Sequence, residues 1–336
     1  MIDVAIVGGG IAGLSLAKFL AEEGIPFILF EEHKEFFKKV CGEATILKLA
    51  GYDFYDFYDG KGIEREIEGA YVHTKYGENF LHIPLLILDK KKVEEEIAKK
   101  AEKQGEIRMG EKVRKIENGI IYPQEIKAKI IVGADGALSI VRDYIGIKKP
   151  NLGFAVDSYT KEVDLDKDYC HVFISNDIVK YGYAWFFPKK DKWNIGIGTF
   201  KKKYFKPAFF KFKKKWKLKW KGAYIPIDKP IKSYGKNAIL LGDAACHVIA
   251  AVGAGIMPSM IISKIASEFI KDFLNGKAKL KEYEIRWKKE MGRQFNYAYY
   301  MSWIYWNLIR SEYIRYKILE KLCKKAKDFY KKLQKK

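Results

Sequence analysis

The first thirty-one residues combine glycines and a carboxylate at the spacing of a dinucleotide-binding unit. The β-branched run at residues 2–7 predicts a buried strand, which leads into a GxGxxG motif at residues 8–13. A predicted helix follows, and a second predicted strand over residues 26–30 ends on Glu31. Glycines in this position let a pyrophosphate approach the helix N-terminus, and the acid can accept both hydroxyls of an adenosine ribose. The predicted cofactor contacts are Gly8, Gly10, Ile11, Ala12, Gly13, Glu31 and Glu32.

Two later segments favour FAD over NAD as this cofactor. Residues 130–141 read IIVGADGALSIV and residues 238–256 read AILLGDAACHVIAAVGAGI, so each predicts a strand, a turn with glycine and aspartate, and a helix. The aspartate can bind a ribityl hydroxyl, and the glycines let the amides of the following helix face a carbonyl of the flavin ring. The predicted contacts are Asp135, Gly136, Gly242, Asp243, Gly253, Gly255 and Ile256.

An aromatic strand is predicted to hold the substrate. Tyr183, Trp185 and Phe187 alternate, so they share one face of a strand that ends at Pro188. Such a face can hold an apolar chain against a flavin and exclude water. An ordinary sheet core is the alternative interpretation of the same stripe.

Two motifs together resemble the geranylgeranyl reductase family of flavoproteins. They are KxCGEA at residues 39–44 and YxWxFPK at residues 183–189, the latter followed by NxGxG at residues 194–198. The resemblance runs from residue 2 to about residue 290. It implies a glutathione-reductase-like FAD fold of the hydroxylase type. It also implies hydride addition from FAD to isolated double bonds of isoprenoid chains, in unsaturated ether lipids, polyprenyl precursors or chlorophyll side chains.

The same resemblance implies further contacts to FAD. Cys41 and Gly42 follow the second strand in a loop that approaches the flavin ring in this fold, Lys90 stands where the family commonly has arginine, and the backbone of Val113 meets the adenine. Cys41 is the candidate catalytic residue. It can donate the proton that the alkene needs, gate the flavin, or pack as a small apolar group. A redox pair of Cys41 with Cys246 is a further hypothesis.

The chain also departs from the family pattern GDAAGxxxPxxGGGI. Cys246 replaces a glycine, Ala250 the proline, and Ala254 another glycine. These changes leave the length and identity of the substrate open. His247 is interpreted as a solvated or hydrogen-bonded histidine, and no spacing of histidines indicates a metal site.

Two lysine-rich segments carry most of the net charge of +21. Residues 201–221 interleave eleven lysines with seven aromatic residues and no acid, and residues 321–336 carry eight lysines and one acid. Such segments suit an anionic membrane surface, a nucleic acid, or a solvated face whose aromatic residues turn inward. We predict an isoprenoid lipid substrate and contact with an anionic membrane surface through both segments, and no nucleic-acid partner.

The composition fits a folded, cytoplasmic protein. Hydrophobic residues make up 48% and charged residues 31% of the 336-residue chain, which excludes intrinsic disorder. No run of about 18 uncharged apolar residues predicts a transmembrane helix. The apolar run at the N-terminus has no basic segment before it, which argues against secretion. We therefore expect a cytoplasmic protein that can touch a membrane from outside.

The predicted fold class is α/β, with a Rossmann-like FAD-binding domain, an inserted antiparallel-sheet substrate domain and a C-terminal helical segment. The FAD-binding domain is assigned to residues 1–68, 88–150 and 232–274, the substrate domain to residues 69–87 and 151–231, and the helical segment to residues 275–336.

Two alternative functions stay open at this level. The first is a flavin-dependent monooxygenase or halogenase of the same superfamily, although the WxWxI motif of the tryptophan halogenases is absent. The second is an RNA-acting flavoprotein or a non-catalytic carrier of FAD, which the basic segments motivate. No second GxGxxG motif marks a nicotinamide domain, so NAD(P)H, ferredoxin and deazaflavin are all possible external reductants.

Overall fold

The computed structural model describes residues 1–334, without the side chains of residues 329 and 331–334. In this part of the chain the helices are α1 (Ile11–Glu22), α2 (Lys90–Ala101), α3 (Ile140–Tyr144), α4 (Phe205–Lys215), α5 (Ile256–Leu274), α6 (Lys281–Asn307) and α7 (Glu312–Gln334). The strands are β1 (Ile2–Val7), β2 (Phe27–Glu31), β3 (Ala44–Ile46), β4 (Lys48–Leu49), β5 (Tyr52–Asp53), β6 (Ile63–Thr74), β7 (Gly77–Leu88), β8 (Glu106–Met109), β9 (Lys115–Glu117), β10 (Ile120–Tyr122), β11 (Ile126–Gly133), β12 (Leu152–Thr160), β13 (Cys170–Phe173), β14 (Gly182–Pro188), β15 (Trp193–Thr199), β16 (Lys221–Pro226), β17 (Tyr234–Gly235) and β18 (Ala238–Leu240).

The first sheet contains the predicted dinucleotide-binding unit. Its strand order is β17-β18-β11-β1-β2-β8, and β1 pairs in parallel with both β11 and β2. The last four residues of β1 are buried, as expected for a central parallel strand that is covered on both faces. Helix α1 packs against α5, where the Ser263 hydroxyl donates a hydrogen bond of 2.8 Å to the Ala12 carbonyl. The carboxyl ends of β1, β2 and β11 therefore meet at one edge of the sheet.

The second sheet is almost entirely antiparallel, with the strand order β16-β12-β15-β14-β13-β6-β7-β3. Only β13 and β6 pair in parallel. Strands β6 and β7 form one long hairpin over residues 63–88, with the register shifting at only two places. The predicted domain boundary between residues 68 and 69 therefore falls inside a paired strand, and residues 63–68 belong to this sheet, as does β3. Continuous backbone pairing holds the chain in the sheet past the predicted boundary.

The helices after the second sheet confirm the predicted C-terminal helical segment. The first half of α6 packs into the core of the first sheet through Tyr283, Trp287, Met291 and Phe295. Helix α7 packs against β7 of the second sheet. Within residues 1–334, none of the helices combines the length and the apolarity that a bilayer crossing requires. With these elements the structure confirms the predicted α/β class and the two-sheet architecture.

Candidate functional site

The turn between β1 and α1 leaves open space beside Gly10. A Cβ atom added at Gly13 would lie 2.0 Å from the Gly8 carbonyl oxygen, and one at Gly8 would lie 2.4 Å from the Ala134 carbonyl oxygen. A Cβ atom at Gly10 would meet nothing within 4 Å. Helix α1 starts at Ile11 without a side-chain cap, so its first N–H groups remain available to an anion. The turn therefore fits a pyrophosphate.

Glu31 ends β2 and faces the same turn. Its Oε2 accepts a hydrogen bond of 2.7 Å from the Gly9 N–H, and its Oε1 accepts one of 2.9 Å from the His33 N–H. The His33 Nδ1 also lies 2.6 Å from Oε1. A carboxylate offers about four acceptor positions, so Glu31 keeps capacity for a ribose hydroxyl. The neighbouring Glu32 is exposed, and an ion pair of 2.5 Å holds it to Lys112.

Asp135 has one carboxylate oxygen without a partner. Its Oδ2 accepts hydrogen bonds from the N–H groups of Ile140 and Val141, at 2.7 and 3.2 Å, whereas its buried Oδ1 accepts none. Burial raises the pKa of this carboxyl. A Cβ atom at the adjacent Gly136 would meet nothing within 4 Å. The free oxygen beside open space fits a polar group of the cofactor.

Arg142 joins two of the predicted turns, although its position in the sequence did not mark it as a contact. Its buried guanidinium donates hydrogen bonds to the carbonyls of Ala137 and Ala244, at 3.0 and 3.4 Å. Ala137 follows the GADG turn and Ala244 belongs to the GDAA turn. Arg142 therefore fixes the position of one turn relative to the other.

The GDAA turn packs directly on the glycine-rich turn and on the loop that contains Cys41. A Cβ atom at Gly242 would lie 2.9 Å from the Ala12 Cβ. Asp243 forms an ion pair with Lys39, the first residue of the KxCGEA motif, which the sequence analysis did not include among the contacts. A Cβ atom at Gly255 would lie 3.6 Å from the Asp243 Oδ1. The other predicted contacts here are Gly253, with φ +65°, and Ile256, the first residue of α5.

The side chains of two other predicted contacts are buried within the protein. Lys90 is buried, and its ammonium bonds Glu94 at 2.6 Å and lies 4.9 Å from the centroid of the Phe37 ring. The side chain of Val113 is buried in the core of the first sheet. Any contact from Val113 to a ligand must therefore come through its backbone, as the resemblance implies.

The two motifs that carry the family resemblance touch each other. A Cβ atom at Gly42 would lie 2.9 Å from the Phe187 ring and 3.4 Å from the Trp185 Nε1, so only glycine lets the loop approach β14 this closely. The Trp185 ring in turn lies over Gly196, where a Cβ atom would be 2.1 Å from it. The glycines of both motifs thus make room for one aromatic wall.

Tyr183 and Pro188 lie near opposite ends of the same strand. The Tyr183 hydroxyl donates a hydrogen bond of 2.6 Å to the Val252 carbonyl, next to the Gly253 turn. Burial raises the pKa of Tyr183 to about 12. The aromatic strand therefore reaches from the Cys41 loop to the loop before α5.

Cys41 is fixed through its backbone. Its N–H donates to the Asp157 Oδ2 over 3.0 Å, and its carbonyl accepts from the Asn194 side-chain amide over 2.9 Å. The Asn194 Oδ1 accepts from the Trp185 indole N–H over 2.8 Å. Burial raises the pKa of the Cys41 thiol, and the nearby Lys90 ammonium only partly offsets this, so the thiol keeps its proton at neutral pH. Cys41 and Cys246 are both free thiols, and no disulfide joins them.

Glu43 is the centre of a buried polar network that the sequence analysis missed. Its carboxylate pairs with Lys189 over 3.1 Å and accepts from the Tyr159 hydroxyl over 2.5 Å. Glu43 belongs to the KxCGEA motif and Lys189 ends the YxWxFPK motif, and this opposite charge was the available signal. Burial and the nearby Glu43 raise the pKa of Asp157 to about 6. No signal in the sequence marked Asp157, a lone acid in an apolar strand.

His247 is neither solvated nor hydrogen-bonded, so its interpretation from sequence was wrong. The residue is fully buried, and neither ring nitrogen has a partner. The ring lies 4.6 Å from Trp287 and 5.7 Å from Phe295, measured between centroids. Helix α6 supplies both neighbours, which a local motif cannot reveal. Among the described residues, no group of three or more His, Cys, Asp or Glu residues is placed to hold a metal ion.

We expect the free energy of unfolding of His247→Phe to fall less steeply at acid pH than that of the wild type. Burial lowers the pKa of His247 from 6.5 to about 3 in the folded protein. Above pH 6.5 the ring is neutral in both the folded and the unfolded state, so it makes stability no more dependent on pH. Below that pH the unfolded state binds a proton that the folded state does not bind. The free energy of unfolding of the wild type therefore falls by roughly 1.4 kcal/mol per pH unit through this residue. Urea unfolding between about pH 7.5 and 5 measures the slope. His82→Phe, on β7, is the control. Equal pH dependence of the free energy of unfolding in the wild type and in His247→Phe would show that His247 does not cause the loss of stability at acid pH.

The aromatic residues of the first lysine-rich segment turn inward. Residues 205–215 form α4, which lies on the face of the second sheet opposite Trp185. The inward rings are Phe205, Phe209, Phe212, Trp216 and Trp220. The lysines of the segment face solvent, together with Phe210. Of the second segment, residues 335–336 lie outside the described residues.

Comparisons with known proteins define the class. A family described as "FAD binding domain" matches residues 1–96, and one described as "Geranylgeranyl reductase catalytic domain" matches residues 152–222. A solved geranylgeranyl bacteriochlorophyll reductase-like protein from Thermoplasma acidophilum superposes with a TM-score of 0.77 at 21% identity, over 89% of this chain and 86% of its own. PqsL from Pseudomonas aeruginosa superposes with a TM-score of 0.66 at 15% identity, over 88% of this chain and 92% of its own. The protein is a FAD-dependent oxidoreductase.

Two sequence relatives share one enzyme name. Digeranylgeranylglycerophospholipid reductase from Methanocaldococcus jannaschii is 28% identical over 95% of this chain and 87% of its own length. The enzyme of the same name from Methanothrix thermoacetophila is 26% identical over 87% of this chain and 84% of its own. These matches support the predicted resemblance to the geranylgeranyl reductase family of flavoproteins. The prediction of FAD as the cofactor is confirmed.

Proposed function

We propose that the protein saturates double bonds in the isoprenoid chains of a glycerophospholipid or of a polyprenyl precursor. The observation that carries the proposal is the contact of Gly42 with Trp185 and Phe187. It puts an aromatic wall beside the loop that the Lys39–Asp243 ion pair ties to the predicted FAD turns. The names of the relatives support an isoprenoid glycerophospholipid as the substrate class.

Each predicted site residue has a proposed role in this reaction. Gly8, Gly10, Gly13 and the start of α1 hold the pyrophosphate, and Glu31 holds the ribose. Asp135 and Asp243 bind the polar chain between the pyrophosphate and the ring. When bound and reduced, FAD supplies the hydride. The remaining proposed contacts are Ile11, Ala12, Glu32, Cys41, Gly42, Lys90, Val113, Gly136, Gly242, Gly253, Gly255 and Ile256.

The protein's own part is to bind the alkene, exclude water and provide a proton. Tyr183, Trp185 and Phe187 offer rings on one strand face, along which an isoprenoid chain can lie. The Cys41 thiol, protonated at neutral pH, is the proposed donor to the second carbon of the double bond. Its backbone bonds to Asp157 and Asn194 hold it at the edge of the wall.

Two observations weigh against the alternative functions. Monooxygenases and halogenases share the fold at 15–16% identity, whereas the sequence relatives are named as reductases. An RNA-acting role needs exposed rings that stack on bases, but five of the aromatic residues in 201–221 pack against the sheet.

We further propose that the protein works at the surface of an anionic membrane. The exposed lysines of residues 201–221 and of α7 supply a positive potential, and the proposed substrate is a lipid. Attraction of this kind weakens as salt screens the charges. Binding to anionic vesicles should therefore fall between low and high salt.

Anaerobic turnover of a lipid tests the proposed reaction. The holoprotein is reduced with dithionite and mixed with a detergent-dispersed geranylgeranyl glycerophospholipid. The molecular mass of the lipid is then measured by mass spectrometry. We expect a gain of two hydrogens for each double bond, and no change when reductant is omitted. A gain of one oxygen in aerated samples would instead identify a monooxygenase. If the flavin is reduced but the lipid is unchanged in both the anaerobic and the aerated samples, the result would favour a non-catalytic carrier of FAD.

A further inference from the structure

The second half of α6 exposes a stripe of large side chains. The exposed fractions are 64% for Tyr297, 51% for Tyr300 and 46% for Trp303, and Leu308, just after the end of the helix, is 60% exposed. The three helical residues recur every three positions, so they lie on the side of the helix that faces away from the sheets. Ile304 is exposed beside them, and Tyr313 and Ile314 extend the surface onto α7.

This stripe is uncharged along its length but basic at its rim. Between residues 291 and 309 the only charged side chain is Arg293, and the exposed Arg310 follows. On the inner side, Trp306 lies 6.4 Å from Tyr181, measured between centroids. The Lys201 ammonium lies 3.9 Å from the centroid of the same Tyr181 ring. The apolar surface of α6 thus lies beside cations.

The stripe continues inward to the aromatic wall. The Trp306 ring lies 5.7 Å from Phe200, and Phe200 lies 6.5 Å from Tyr183, each measured between centroids. Tyr183 begins the face that also contains Trp185. Rings therefore lead from the exposed part of α6 to the proposed place of the alkene.

We propose that residues 294–309, which comprise the second half of α6 and the turn after it and are rimmed by Lys201, Arg293 and Arg310, dock on an anionic lipid bilayer. The inference rests on the proposed function, because it gives a lipid substrate a short path from bilayer to site. Tyrosine and tryptophan are the residues that sit at the headgroup level of membranes, and the cations complement anionic headgroups. A second copy of the chain fits less well, because it would bring two positive rims together in a protein of net charge +21.

Vesicle binding tests the docking surface directly. Flotation with phosphatidylglycerol and with phosphatidylcholine vesicles compares the wild type with Tyr300→Ser/Trp303→Ser. Tyr55→Ser, which removes an exposed ring outside α6 and outside both lysine-rich segments, is the matched control. We expect the double variant to bind phosphatidylglycerol vesicles at least about 10-fold more weakly, because it lacks two rings that the bilayer would bury. The control should bind like the wild type. Equal binding by the double variant would overturn the proposal.

Tryptophan fluorescence gives a second reading. Of the seven tryptophans, all within the described residues, only Trp303 is exposed, by 46%. Brominated lipids should quench the wild type, and the quenching should be lost in Trp303→Phe. Persistent quenching in that variant would show that another face of the protein contacts the membrane, and would overturn the proposal. The proposal would also be overturned if the wild type formed a dimer without vesicles and Tyr300→Ser/Trp303→Ser dissociated it.

Reduction of detergent-dispersed lipid separates the two proposals. The double variant should still reduce dispersed lipid if only docking is lost. Failure of the wild type with the same dispersed lipid would instead contradict the proposed function and leave vesicle binding as an independent result.

Discussion

Gly10→Ala is expected to weaken FAD binding by about 10- to 100-fold while the apoprotein stays as stable as the wild type. A Cβ atom at Gly10 meets no protein atom within 4 Å, so the change costs the empty fold little. The same methyl group would intrude on the proposed position of the pyrophosphate, and overpacking a close contact costs roughly 1–3 kcal/mol. Titration of apoprotein with FAD measures the affinity, and urea unfolding measures the stability.

Gly13→Ala is the matched variant for this prediction. Its Cβ atom would lie 2.0 Å from the Gly8 carbonyl oxygen, so the backbone must move even without the cofactor. We therefore expect loss of both stability and FAD binding. If Gly10→Ala bound FAD like the wild type, the pyrophosphate would not lie beside Gly10. If Gly10→Ala also unfolded easily, its effect on FAD could not be assigned to the open space.

Sequence predicts those parts of the fold whose signals are local. Strand β1 has the predicted bounds, Ile2–Val7, and β2 starts one residue later than predicted, because buried strands and glycine turns are encoded within a few residues. The predicted boundary at residue 68 falls inside β6, because hairpin pairing, which depends on the partner strand, decides where that strand starts.

The inward aromatics of α4 carried a readable signal. Phe205, Phe209, Phe212 and Trp216 are spaced by three or four residues, which is the period of one helix face. Reading that period would have favoured a helix packed on the sheet with its lysines in solvent. Composition alone left this alternative open beside a surface for anionic lipid and one for nucleic acid.

The contacts around Cys41 could not be predicted, because they join distant segments. Asp157 and Asn194 lie 116 and 153 residues from Cys41 along the chain. Asn194 belongs to the NxGxG motif, but its spacing does not reveal that its amide bonds the Cys41 carbonyl. Strand pairing explains the juxtaposition: Trp185 and Asp157 both lie opposite Gly196 of β15, so they share one face of the sheet.

Asn194→Ala should lower the rate of lipid reduction by about 100-fold without loss of FAD, because a small displacement of a catalytic group has an effect of that order. Asn194 joins the Trp185 indole to the Cys41 carbonyl, so the variant frees both the aromatic wall and the proposed proton donor. Ser158→Ala is the control: Ser158 lies next to Asp157 on β12, but its hydroxyl faces the other way and bonds the Lys219 carbonyl. Single-turnover reduction of dispersed lipid and the flavin absorbance provide the measurements.

The reactivity of the Cys41 thiol separates positioning from mere structural support. Cys170, Cys246 and Cys323 are buried, so alkylation followed by peptide mapping can follow Cys41 selectively. We expect Asn194→Ala to speed its alkylation and Trp185→Phe, which removes the donor to Asn194, to act in the same direction. Because both variants break one chain of hydrogen bonds, the double variant should react no faster than Asn194→Ala alone. A slower enzyme whose Cys41 reacts as in the wild type would show that Asn194 supports the sheet and does not position the thiol.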